Sequence, residues 1–185
     1  MSFYETTIPV LKSIPKSGIS ILNAAKKERS SKDSLPSEKD VLDAKFGDML
    51  PTRFQPSLFG KFAVSGISEL KLSSADAPAV DPSSFNSFDD VIKYFEGLIA
   101  LFDAVDEKAY NDAAKKSVDV PVANKTLHMT ELADYYKTFV VPNGYFHINA
   151  LYMLLRSQGF TLGKGVYIGS FMSEQQGKDW APLRA

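Results

Sequence analysis

The chain has 185 residues, 44% of them hydrophobic and 23% charged, with a formal charge of −1 and no cysteine. That composition is ordinary for one globular domain, long enough to bury roughly 70% of the surface its unfolded chain exposes. It excludes disulfides, thiolate metal sites and a cysteine nucleophile, and the near-neutral charge gives no field that would gather nucleic acid or an anionic membrane.

The opening MSFYETTIPVLKSIPKSG has no basic segment ahead of a long apolar run and does not read as a secretory signal. Thr6 to Lys27 reads as a first helix, with Ile8, Leu11, Leu22 and Ala25 on one face and Val10, Ile14 and Ile21 on another. Pro9 suits its first turn, whereas Pro15 should kink or locally break it. The basic, serine-rich ERSSKDSLPSEKD is a loop, and VLDAKFGDML a short helical piece leading to Pro51. A second long helix runs from about Thr52 to Leu72 on Phe54, Leu58, Phe62, Ile67 and Leu70, with Pro56 tolerable only in its first turn. Ser73 to Ser87 is a loop by composition.

The third helix starts with Ser87 as N-cap and Asp90 as capping-box partner. It carries a wide stripe from Phe88 through Phe95 to Phe102, and Asp89, Lys93, Glu96 and Asp103 lie opposite. Val118, Val120 and Val122, then Leu127 and Met129, alternate around Ala-Asn-Lys and predict a small β-hairpin whose His128 points to solvent. Thr130 should cap the fourth long helix, which runs to Gly159 with Pro142 kinking it just before Asn143. The tail from Phe160 shows no clear period. No repeat and no second domain is visible, and no run approaches the roughly 20 apolar residues of a membrane span. The expectation is one cytoplasmic domain over residues 1–185: a four-helix bundle, all-α apart from the hairpin before its last helix.

Several strings give the chain a resemblance. YETTIPVLKSI, LDAKFGDMLPTRFQ, the hairpin, and VVPNGYFHINALYMLLRSQGFTLGKGVYIG follow in order an uncharacterised family of the DinB/YfiT-like helical-bundle superfamily, up to about Gly169. The most specific parts are Pro142 to His147, Leu155-Arg156, Gly159 to Lys164, and Leu50 to Arg53. The resemblance implies a DinB-like four-helix bundle and carries no activity with it. Better-known members hold a divalent metal through one histidine on the second helix and two on the last, and some are thiol-dependent transferases or isomerases. Here the second helix has no histidine, where related sequences often show an Asp-His pair near Gly60 and Lys61. Leu151 also stands where a second histidine of the last helix would be. With only His128 and His147 in the chain, no three-histidine site can form, and the expectation is no metal and no cofactor.

One place points at a site. Asn143 and His147 lie four residues apart on the apolar stripe of the last helix, and a polar group facing a core must find a partner or a purpose. His147 is read either as a structural histidine bonded to Asn143 or to a backbone carbonyl near the Pro142 kink, or as an acid/base group with Asn143 holding its tautomer or binding a substrate carbonyl. The working reading is a pocket for a small apolar metabolite, lined by Phe54, Phe95, Tyr136 and Phe146. Arg53 either pairs with an acid such as Asp48 or binds a substrate carboxylate. That reading makes the protein a cofactor-free isomerase, cyclase or dehydratase. The alternative is a non-catalytic binding or interaction protein with a structural His147, and a metal-dependent transferase comes third. Related bundles can pair through helix faces, so the resemblance is compatible with a homodimer; nucleic-acid and membrane partners are not expected.

Overall fold

A computed structural model of the chain describes residues 1–184. The chain runs through α1 (Phe3–Arg29), a short α2 (Glu38–Asp43), α3 (Phe54–Glu69), α4 (Phe88–Asp103) and a short α5 (Glu107–Asp112). The antiparallel hairpin β1 (Val118–Val122) and β2 (Lys125–Met129) follows. Next, α6 (Leu132–Asp134) passes through a π-helical stretch (Tyr135–Val140) into α7 (Val141–Ser157), and α8 (Lys164–Ile168) and α9 (Glu174–Asp179) close the chain. The bundle is built from α1, α3, α4 and α7: α1 packs against α4 and α7, and α3 against α7. Gly144 lets α7 approach both α1 and α3, because a β-carbon there would lie 2.6 Å from Ile14 on α1 and 2.9 Å from Phe59 on α3.

Helix α1 starts earlier than its periodicity predicts. Ser2 accepts a hydrogen bond from the Glu5 N–H at 3.1 Å, and the Glu5 carboxylate accepts one from the Ser2 N–H at 2.6 Å, closing a capping box. Pro9 is therefore interior rather than in the first turn, and the helix continues through both Pro9 and Pro15 instead of breaking. Each interior proline costs about 3 kcal/mol. Ile8, Leu11, Ile14, Ile21 and Leu22 are fully buried, each contributing roughly 1.5–3 kcal/mol, and that outweighs the prolines.

Two short segments also differ from expectation. The helix foreseen at VLDAKFGDML starts upstream, on a Ser37 cap, and ends at Asp43 with Ala44 as its C-cap. Both the N–H and the hydroxyl of Thr52 donate to the Ala44 carbonyl, at 2.9 and 3.0 Å, which closes residues 44–52 into a loop. In the hairpin Val122 pairs with Lys125, so the turn is Ala123-Asn124, one residue shorter than expected.

The signals at α3 and α4 hold. Pro56 sits in the first turn of α3, and Ser87 and Asp90 form the capping box of α4. Thr130 does not cap the last long helix. Its first amides, Leu132 and Ala133, donate instead to the carbonyls of Lys116 and Ala114, at 2.8 and 3.0 Å, so the backbone after α5 does the capping. Pro142 acts upstream of its own position: the chain ahead of it widens to π geometry, with the Val141 N–H reaching back five residues to Tyr136. The tail is helical rather than irregular. Glu28 of α1 accepts from the Thr161 N–H at 2.8 Å and its hydroxyl at 2.6 Å, and Ser17 donates to the Tyr167 carbonyl at 2.8 Å.

Candidate functional site

His147 projects from the inward side of α7 and is 8% exposed. Its Nδ1 lies 2.9 Å from Oε1 of Gln55, in the first turn of α3. The Gln55 amide nitrogen donates to the Leu50 carbonyl at 3.0 Å, which turns the amide oxygen towards the imidazole. An acceptor at that point requires Nδ1 to carry the proton and leaves Nε2 with its lone pair. Burial pushes the His147 pKa down to about 4, so the ring is neutral near pH 7.

The ring lines a narrow space with Ile14, Phe59, Phe95, Ile148 and Leu151, about 170 Å³ in all and too tight to admit a water-sized sphere. The walls other than Gln55 and His147 are apolar, and nothing in them holds charge. Phe146 packs edge-on against the His147 ring, with centroids 5.2 Å apart, from the solvent side.

Of the residues singled out from the sequence, the structure brings Phe95 and, on the outer edge of the ring, Phe146 to His147 and separates the rest. Asn143 does not set the imidazole; Gln55 does, and the Asn143 Nδ2 is buried without a hydrogen-bond partner. Tyr136 is fully buried, roughly 16 Å along the helix from His147. Its hydroxyl donates to the Ala63 carbonyl at 2.7 Å and accepts from the Ile67 N–H, inside an aromatic cluster with Phe3, Tyr110 and Tyr135. It has no open face for a ligand. Phe146 is 59% exposed, and Phe54 is half-buried outside the space beside His147. Arg53 pairs with Asp43 rather than Asp48 and donates to the Phe85 carbonyl at 2.8 Å, so it ties three loops together.

Gln55 is the residue that sequence reasoning missed. Its signal was present: Gln55, Phe59, Ala63 and Ile67 recur every four residues and are all buried, so a long polar side chain shares a core stripe.

The family model described as a domain of unknown function (DUF1993) matches residues 3–168. The chain belongs to the DUF1993 family. No curated protein matches it. Among solved structures, the DUF1993 chain is similar to a DinB family member from Shewanella denitrificans, with a TM-score of 0.72 and 20% identity over 90% of this chain and 91% of that one. The likeness extends to the fold: a DinB-like helical bundle with one small hairpin.

The metal that the resemblance brings to mind does not fit this DUF1993 site. Facing Gln55, the last helix offers one imidazole, already bonded to an amide, and the fully apolar Leu151 one turn on. Among the described residues no group of three or more His, Asp or Glu side chains is placed to hold an ion. None of the described helices is long and apolar enough to cross a membrane.

Proposed function

We propose that this DUF1993 protein is a non-catalytic binding bundle in which His147 is a structural histidine. The observation that carries the reading is the Leu50–Gln55–His147 chain of hydrogen bonds beside a space too small for water. A general base works best with a pKa near the operating pH, and a group at about 4 lies some three units below it. A reacting molecule would also need room within about 3.5 Å of the imidazole. A hollow of about 190 Å³ does open to solvent on the outer side of α7, lined by Phe46, Met49, Ala150, Met153, Leu154 and Ser157. It is smaller than a drug-sized ligand pocket and almost wholly apolar, which suits a small apolar group.

One observation favours the acid/base reading as the second choice: among the described residues the Nε2 of His147 has no hydrogen-bond partner, so its lone pair is available. A library of small apolar metabolites, followed by thermal shift, by ring-proton NMR of His147 and by product analysis, separates the two. The structural reading expects any ligand to perturb Met153 and Phe46 and to leave the His147 ring unchanged. A compound that is chemically converted by the protein, with conversion lost in a folded His147→Gln variant, overturns it.

A further inference from the structure

The two outer edges of the hairpin differ. Residues opposite one another in an antiparallel pair alternate between exchanging both backbone bonds and exchanging neither. The Asp119 N–H turns away from β2 and donates to the Glu69 carboxylate, at the end of α3, at 3.0 Å. Asp119 and His128 are therefore a non-exchanging pair, and by alternation so are Pro121 and Thr126. The outer edge of β1 is closed, because Glu69 holds one N–H and Pro121 has none to give. On β2 the same pairs turn the N–H and C=O groups of Thr126 and His128 outward. Among the described residues no hydrogen bond reaches those groups.

The side chains along this open edge are uncovered as well. Val120 of β1 is fully buried, with α3 packed on its strand, whereas Leu127, directly opposite on the same face of the hairpin, is 42% exposed. At one end of β2, exposed Lys125 has no acidic partner among the described residues. At the other end the strand runs into a hollow of about 490 Å³ lined by His128, Met129, Thr130, Glu131, Asp134 and Tyr135. Glu131 already holds Lys115, at 2.8 Å, while the exposed Asp134 carboxylate holds no cation among the described residues.

We infer that β2 docks an extended peptide segment of a partner protein, which adds a third strand to the hairpin. The backbone selects an extended occupant, because a strand presents N–H and C=O groups at the spacing of those on Thr126 and His128. The charges select its side chains and their order. Laid antiparallel to β2, the commoner pairing, the segment sets a basic residue opposite Met129, beside the hollow that Asp134 rims. An apolar residue then falls opposite Leu127 and an acid opposite Lys125, all on the face that carries Leu127. From its N-terminal end the segment reads basic–x–apolar–x–acidic. The reverse order sets like charges against each other at both ends, which is destabilising. A second copy of β2 supplies the basic and apolar positions but sets Met129 against Lys125, so it lacks the acid.

The test is an amide NMR titration of the isotope-labelled full chain with the end-capped peptide Thr-Lys-Thr-Val-Thr-Glu-Thr. The expected result is saturable binding with a dissociation constant of about 10–500 µM. The largest shifts should fall on Thr126 and His128, whose amides should exchange more slowly in the complex. Methylating the backbone nitrogens of the two threonines beside the valine removes the donors that face β2 and should weaken binding at least about tenfold. Thr126→Pro should do the same: it removes one outward N–H and leaves the bonds to β1 intact, as Pro121 does on the opposite strand. Asp134→Lys, at an exposed position, should weaken this peptide at least about threefold and favour one with glutamate in place of its lysine. No shift at Thr126 and His128 up to about 2 mM peptide, equal binding of the methylated peptide, or shifts confined to another surface overturns the inference. So does a dimer of the unliganded chain that Thr126→Pro dissociates, since a second copy would then hold the edge. None of these residues belongs to the His147–Gln55 pair, so every outcome leaves the reading of His147 as it stands.

Discussion

The hydroxyl of Tyr94 on α4 occupies the space that a β-carbon at Gly60 on α3 would need: the two atoms would lie 1.8 Å apart. The hydroxyl itself is buried without a partner, and burial raises its pKa to well above the usual phenol range. Gly60→Ala should therefore destabilise the fold by about 1–3 kcal/mol through overpacking. Tyr94→Phe removes an unsatisfied polar group and should be neutral or stabilising by up to about 1 kcal/mol, and it should recover part of the Gly60→Ala loss in the double variant. Urea unfolding of the four proteins measures the cycle.

The buried imidazole makes stability depend on pH with a definite sign. His147 has a pKa of about 4 in the folded chain against 6.5 unfolded, so between those values the unfolded state binds more protons. Its contribution is complete above about pH 6.5 and is lost as the pH falls towards 4, by up to about 3 kcal/mol. The unfolding free energy of His147→Gln, measured over the same window, should lack this slope. Glu28 adds a second, lower step: Lys32 and Thr161 hold its carboxyl down to about 2 from the ordinary 4.5, so what it contributes is lost as the pH falls from 4.5 to 2.

Helix α3 ends on Lys71 in the left-handed region, with φ of 52°. The Leu72 N–H bonds to the Ile67 carbonyl at 2.9 Å and the Lys71 N–H to that of Ser68 at 3.2 Å, the bonds of a Schellman cap, whose left-handed position is normally glycine. Lys71→Gly should raise stability by about 1 kcal/mol, read as a higher denaturant midpoint at unchanged slope.

Arg53 joins Asp43, at the end of α2, to the Phe85 carbonyl ahead of α4, with its own backbone at the start of α3. Its side chain is 12% exposed. Arg53→Lys keeps the charge but cannot reach both partners in one plane, and it should cost about 1.5–3 kcal/mol. If Arg53 instead served a ligand, the loss would appear in binding and leave the melting temperature in place.

Local signals were legible in the sequence and distant ones were not. The Ser87–Asp90 cap and the position of Pro56 lie within one turn of what they control, and the structure keeps both. His147 was legible as an inward polar group because α7 keeps a helical period. Its partner was not, since Gln55 lies 92 residues away and only the packing of α3 on α7 brings the two together. Thr130 failed as a cap for the same kind of reason: the carbonyls of Ala114 and Lys116 satisfy the amides first. The prolines of α1 misled because local propensity was set against a buried stripe, and burial won.

The π stretch from Tyr135 to Val140 holds one residue more than an α-helix of equal length would, and it ends just before a proline whose ring cannot tolerate the carbonyl four residues back. It separates two anchors that must both face inward, Tyr136 on the Ala63 carbonyl and His147 on Gln55. The last helix therefore holds one residue that its two anchors do not need. Deleting exposed Lys137 or Thr138 would return the segment to α geometry with both anchors in phase, provided that Pro142 is replaced in the same step. In DUF1993 relatives, a one-residue gap at this point and a non-proline at position 142 should occur together or not at all.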